Sequence, residues 1–120
     1  MKDLTLVIGA SENPERYSNL AVRSLQQHGF RTAAIGNRPG NIEGTPIQKG
    51  EVALQNVDTV TLYLNPANQQ AYYTYILSLQ PRRIIFNPGT ENPELMRLAQ
   101  AKGIECLPAC TLVLLSTGQY

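Results

Sequence analysis

Apolar residues fall along this chain in short runs separated by stretches of helical spacing. Five runs, Leu4–Ile8, Arg31–Ile35, Asp58–Leu64, Arg83–Phe86 and Ile104–Leu107, are rich in aliphatic and β-branched side chains and bounded by Gly, Asn or Pro. That is the signature of strands buried in a sheet. Between the first two, Leu20, Ala21 and Leu25 share one face of a helix that starts at Asn13-Pro14 or at Ser18 and stops at Gly29. Asn65-Pro66 sets a cap and a first-turn proline at the head of a helix running to about Leu79, ahead of the breaker Pro81. Asn92-Pro93-Glu94 opens another, with Leu95, Leu98 and Ala99 as its buried stripe and Gly103 as its stop. Thr111–Leu115 reads as a final helical turn, and residues 51–57 have room for one more. The segment GNRPGNIEGTPI, after the second strand, is too rich in Gly, Asn and Pro for regular structure.

Strands alternating with helices predict a parallel sheet covered on both faces. Right-handed crossovers leave few topologies, and the expectation is a three-layer, Rossmann-like α/β fold with a five-stranded parallel sheet. The 120 residues suffice for one domain, 1–120, around one core. A hydrophobic content of 42% against 16% charged residues is that of a globular chain. The net charge of +1 offers no basic stripe, which argues against nucleic acid as a partner. No apolar run reaches the length of a membrane span and the first residues enter a strand at once, so no membrane and a cytoplasmic location are expected. Cys106 and Cys110 form neither a disulfide framework nor a zinc site, and read as free thiols.

This fold says where chemistry should lie, because ligands sit beyond the carboxyl ends of the strands where strand order reverses. Four loops leave such ends: Gly9-Ala10-Ser11, Gly36-Asn37-Arg38, Asn65-Pro66 and Asn87-Pro88-Gly89. Gly9 permits a sharp turn and a close backbone approach, and the amides that follow, with the start of the next helix, suit an anion. Its spacing is not the G-x-G-x-x-G of dinucleotide enzymes. An NAD site carries an acid at the end of its second strand; here there is none until Glu43, and Arg38 stands in that region instead. Its planar donor fork suits a phosphate on a ribose, the 3′-phosphate of coenzyme A or the 2′-phosphate of NADP. His28, the one histidine, lies at the opposite, amino edge, so no Ser/His/Asp set assembles, and Ser11 reads as a hydrogen-bonding group without a base. Tyr63, at the end of the third strand, is a candidate lining residue.

The runs VIGASENPERYSNLAVRSLQQHGF, IGNRPGNIEGTPI and LYLNP and the ending AKGIECLPACTLVL together resemble the small stand-alone CoA-binding domain proteins. These are similar in turn to the CoA-binding domain of the succinyl-CoA synthetase alpha subunit. The resemblance implies that Gly9, Ala10 and Ser11 hold the pyrophosphate, and that Arg38, beside Asn37, holds the 3′-phosphate. It also implies that Leu64, Asn65 and Pro66, with Asn87, Pro88 and Gly89, wall the adenine and pantetheine. The synthetase keeps its phosphoryl-carrying histidine in a second domain, so the implied role is CoA or acyl-CoA binding without catalysis, as a carrier, sensor or partner subunit. Alternatives are an NADP-binding redox module and a scaffold with a vestigial cleft. Cys110 matches a cysteine often found near the end of such proteins; it reads as a small buried side chain or, more sharply, as a partner for the CoA thiol. The apolar tail LVLLSTGQY is expected to pack on its own domain or on a second copy, with a homodimer the preferred reading.

Overall fold

The structure, a computed structural model, describes residues 1–120. Seven strands form one sheet: β1 (Leu4–Ile8), β2 (Arg31–Ile35), β3 (Gly40–Ile42), β4 (Thr45–Gln48), β5 (Val57–Leu62), β6 (Arg83–Phe86) and β7 (Glu105–Pro108). Their order is β3-β4-β2-β1-β5-β6-β7, and every pairing is parallel except that of β3 with β4. With the antiparallel β3 set aside, the parallel strands taken in chain order lie 3-2-1-4-5-6, the doubly wound order of dinucleotide-binding folds. Strand order therefore reverses between β1 and β5.

The expected five-stranded sheet gains two strands from a segment expected to lack regular structure. Ile42 and Ile47 there are both about 3% exposed and alternate with polar neighbours. Between them Glu43 and Gly44 take φ of 45° and 93°, the left-handed pair that closes a tight two-residue hairpin. Residues 51–56 hold no helix: Val52 and Leu54 pack inward at alternate positions, an extended period, against the larger core cluster. β5 ends at Leu62 rather than at Leu64; the Tyr63 amide still donates to the Ile8 carbonyl at 2.9 Å before the chain turns away. Ile104 lies in the link before β7 rather than in the strand, its amide donating back to the Ala99 carbonyl at 3.1 Å.

The first helix, α1 (Tyr17–Gln27), begins with Arg16 at its cap, because Asn13 is occupied in a separate turn where its Oδ1 accepts from the Glu15 amide at 3.0 Å. The helix expected from Asn65 to Leu79 is α2 (Pro66–Gln69), a 3₁₀ turn (Gln70–Tyr72) and α3 (Tyr73–Leu79). α4 (Pro93–Gln100) buries Leu95 and Ala99, one i, i+4 row; Leu98 falls beside that row and is 39% exposed, while Met96 takes the expected third place. α5 (Thr111–Ser116) follows β7. No helix is long and apolar enough to cross a membrane.

The two faces of the sheet differ. Leu6, Ile8, Val60, Leu62, Ile84 and Phe86 pack against Ile76 and Leu95 of α3 and α4, an apolar seam. The other face, under α1 and α5, is mixed. Val7 and Ala34 meet Val22, Leu25 and Leu115 there, beside the buried Thr5, Thr59, Thr61, Arg83 and Asn87. Arg83 is 5% exposed and pairs with no Asp or Glu side chain. Its Nε donates to Thr59 Oγ1 at 2.9 Å, its Nη2 donates to the Tyr120 carbonyl at 3.3 Å, and its guanidinium lies 4.5 Å from the centre of the Tyr120 ring. The Tyr120 hydroxyl pairs with Thr5 Oγ1 at 2.6 Å, and its ring meets Phe30 edge-on at 4.8 Å.

Tyr120 thus seats a buried cation. Tyr120→Ala is expected to lower the unfolding free energy by about 2–3 kcal/mol, more than an ordinary half-buried residue, because it also takes the ring from beside Arg83 and the hydroxyl from Thr5. Urea unfolding followed by circular dichroism measures this.

Candidate functional site

At the carboxyl ends of β1, β2 and β5 lies a cavity of about 640 Å³. Two glycines make it. Gly9 has φ of 99°, and a β carbon there would come within 3.0–3.2 Å of the Tyr63 carbonyl group and Cβ. A β carbon on Gly36 would lie 2.3 Å from the Ala10 carbonyl oxygen. The ends of the three strands therefore converge only because both positions lack side chains.

The loop between them is held from both sides. The Gly9 and Ala10 amides both donate to the Ile35 carbonyl at 2.9 Å, extending the β1–β2 ladder. They are consequently not available to an anion, contrary to the simple reading of a small-residue turn. The next two amides, of Ser11 and Glu12, make no hydrogen bond within the chain. Ser11 is fixed by its own groups: Oγ accepts from the Asn13 amide at 3.1 Å, and its carbonyl accepts from Asn19 Nδ2 of α1 at 2.8 Å.

Of the residues expected at the site, Gly9, Ala10, Ser11, Asn37, Arg38, Leu64 and Asn65 line this cavity, and so does Tyr63. Arg38 forms no ion pair. Pro66 lies just outside the lining, in the first turn that Asn65 caps by accepting from the Asn68 amide at 2.9 Å. Asn87, Pro88 and Gly89 do not line it. Asn87 is buried, its Nδ2 donating to Thr61 Oγ1 and the Leu62 carbonyl at 2.7 and 2.8 Å, its Oδ1 accepting from the Thr111 amide at 2.9 Å. That side chain docks the head of α5 on the sheet, and Gly89 turns the chain with φ of 92°.

Six lining residues were not expected at the site: Glu12, Asn13, Arg16, Pro39, Asn68 and Tyr72. Arg16, the α1 cap residue, is a second guanidinium without an ion pair on the same cavity. Asn68 and Tyr72 stand three and seven residues after Asn65, one face of a helical run, a spacing that could have flagged them. Glu12 crosses to the hairpin, its Oε2 accepting from the Asn41 amide at 2.9 Å.

The wall carrying Leu64 and Asn65 is anchored from behind by Gln69, which is fully buried. Its Nε2 donates to the Leu64 and Thr90 carbonyls, both at 2.8 Å, and its Oε1 accepts from Asn92 Nδ2 at 2.9 Å. Asn92 caps α4 and also donates to the Tyr73 hydroxyl at 2.8 Å, which donates in turn to Glu94 at 2.9 Å.

The remaining titratable groups are spectators to this cavity or border it. Burial pushes the Tyr63 phenol far above its ordinary range, and its hydroxyl, beside Thr61 and Thr111, has no hydrogen-bond partner. Burial also raises the Cys106 thiol, which faces the Met96 carbonyl at 3.8 Å on the apolar side of the sheet. Cys110 is half-buried at the head of α5. His28 is exposed at the end of α1, with Nδ1 2.7 Å from the Ser24 carbonyl. No three His, Cys, Asp or Glu side chains cluster as metal ligands would.

The family described as a CoA binding domain matches residues 4–116. Among solved structures, one described as an uncharacterized protein is 45% identical with a TM-score of 0.95, over 100% of this chain and 99% of that one. A hypothetical protein from Pyrococcus horikoshii OT3 shares the fold at 22% identity and a TM-score of 0.82, over 93% of this chain and 80% of its own. So does a dinucleotide-forming acetyl-coenzyme A synthetase from Ca. Korarchaeum cryptofilum, described in complex with phosphate and ADP. It is 18% identical with a TM-score of 0.73, and the match covers 89% of this chain but 25% of that one. Among curated proteins none matches.

Two substitutions test the construction of the site. Gly36→Ala is expected to destabilise by about 1–3 kcal/mol, because the obstructing atom is a backbone carbonyl that cannot swing aside. Gln69→Leu should cost a similar amount, roughly 1–3 kcal/mol, by leaving the Leu64 and Thr90 carbonyls and Asn92 without a partner. Denaturant midpoints at constant slope read both.

Proposed function

Because the chain belongs to the CoA binding domain family, we propose that its carboxyl-rim cavity binds coenzyme A or an acyl-CoA, and that the protein acts as a non-catalytic carrier, sensor or partner subunit. The observation that carries the reading is the pair of guanidinium groups without ion pairs, Arg16 and Arg38, on one cavity opened by two obligatory glycines. A nucleotide with several phosphates is the ligand such a site suits: backbone approaches closely, the Ser11 and Glu12 amides are unbonded, and the two arginines supply charge at separate points.

In this reading Arg38 takes the 3′-phosphate. The Ser11 and Glu12 amides and Arg16 take the pyrophosphate, since the Gly9 and Ala10 amides are already bonded to Ile35. Leu64, Asn65 and Tyr72 offer apolar and planar surface to the adenine or the pantetheine arm. What supports a binding role over catalysis is the position of the one histidine, exposed at the end of α1, where the helix has run back from the carboxyl rim. Self-association is assigned to α5, where Val113 stays 54% exposed.

Thermal melting with added ligand tests the proposal. Coenzyme A at a hundredfold excess over its Kd should add about 2.7 kcal/mol of stability, dephospho-CoA should bind more weakly, and NADPH should shift the midpoint little. Arg38→Ala should weaken coenzyme A by at least about tenfold and erase its advantage over dephospho-CoA. A larger shift with NADPH overturns the CoA assignment in favour of a redox module, and no shift with any nucleotide leaves the scaffold reading.

A further inference from the structure

We propose, resting on the nucleotide reading above, that Glu12 determines specificity at this site by accepting a hydrogen bond from a free ribose hydroxyl of the ligand. In doubly wound folds an acid at the carboxyl end of the second strand does that work. Here the place is closed to it. The residue after β2 is Gly36, where a β carbon would strike the Ala10 carbonyl oxygen at 2.3 Å and the Ile47 side chain at 3.0 Å. Asn37 and Arg38 follow, and the next acid, Glu43, sits in the hairpin turn beyond β3.

A carboxylate nevertheless reaches the same region from another strand. Glu12 leaves the loop after β1, lines the cavity, and places Oε2 on the Asn41 amide at 2.9 Å. Gly40 makes room for it: a β carbon there would lie 2.5–2.9 Å from Glu12 Cδ, Cγ and Oε1. The side chain is therefore seated by backbone and not by an arginine, for neither Arg16 nor Arg38 forms an ion pair with it. Oε1 makes no hydrogen bond within the chain. An anion kept this way in a pocket with two cations repels a second phosphate ester on the same ribose and favours a neutral donor there. The donor that a phosphorylated nucleotide brings beside its phosphates is a ribose hydroxyl. Arg38 and Glu12 together then select a ribose with one phosphate ester and one unesterified hydroxyl, and in coenzyme A that hydroxyl is the 2′.

Isothermal titration of the full chain with coenzyme A and with its 2′-deoxyadenosine analogue tests this, in wild type and in Glu12→Ala. Wild type should bind coenzyme A about tenfold more tightly than the deoxy analogue, the worth of one hydrogen bond to a charged acceptor, and Glu12→Ala should bring that ratio to about one. Any loosening of the hairpin by the alanine affects both ligands alike and cancels in the ratio. A wild-type ratio near one, a ratio that survives Glu12→Ala, or tighter coenzyme A binding by Glu12→Gln would each overturn the assignment. Coenzyme A binding without hydroxyl discrimination sinks this inference alone, whereas no coenzyme A binding to wild type sinks the nucleotide reading and this inference together.

Discussion

Three strand ends meet at the carboxyl rim more closely than any pair of β carbons would allow. Gly9 lies against the backbone of Tyr63, and Gly36 against the carbonyl of Ala10. The sheet order brings β1 between β2 and β5, so the turn after β1 must pass between two neighbours at once. It does so by giving up side chains at the two contacts and by extending the β1–β2 ladder two residues past the strand, through Gly9 and Ala10 to Ile35. The room thus left, and the donors that face it, follow from that convergence. Arg16 arrives because α1 starts where the turn ends, and Arg38 because the chain leaves β2 on the same side.

Behind this rim the two faces of the sheet do different work. The seam against α3 and α4 is apolar and continuous, and supplies most of the buried hydrocarbon. The α1/α5 face is stitched by polar side chains whose groups are nearly all satisfied: Thr61 with Thr111 at 2.8 Å, Asn87 with both, Arg83 with Thr59 and Tyr120. A polar network of this kind tolerates little rearrangement. It also explains why the turn after β6 stands apart from the cavity, since Asn87 is committed to holding the head of α5.

Where the chain repeats one local rule, its structure was legible from the residues alone. All five expected strands, three of them to the residue, the Asn-Pro helix starts at 65 and 92, and the stops at Gly29 and Gly103 follow from period and punctuation. Legibility failed where two signals overlapped. The β3–β4 hairpin is hidden because its glycines and proline look like breakers, while the buried pair Ile42 and Ile47 is too short a pattern to outweigh them. Leu98 shows the opposite error: hydrophobic character placed it on a stripe that the packing of Leu95 and Ala99 does not extend to. For the site, the glycine turn and Arg38 were readable because their chemistry is local. Glu12 and Arg16 were not, since their importance depends on a hairpin 29 residues away in one case and on the helix start in the other.

The margins of the sheet bear on how the molecule behaves in a crowded solution. One border strand, β3, is three residues long and opens with a glycine. The other, β7, carries an exposed glutamate at its start and closes on Pro108, which has no amide to offer. A foreign chain seeking to add itself to either border finds few consecutive donors and acceptors. A sheet of mostly parallel strands is thereby left with ends that resist templated growth into fibrils.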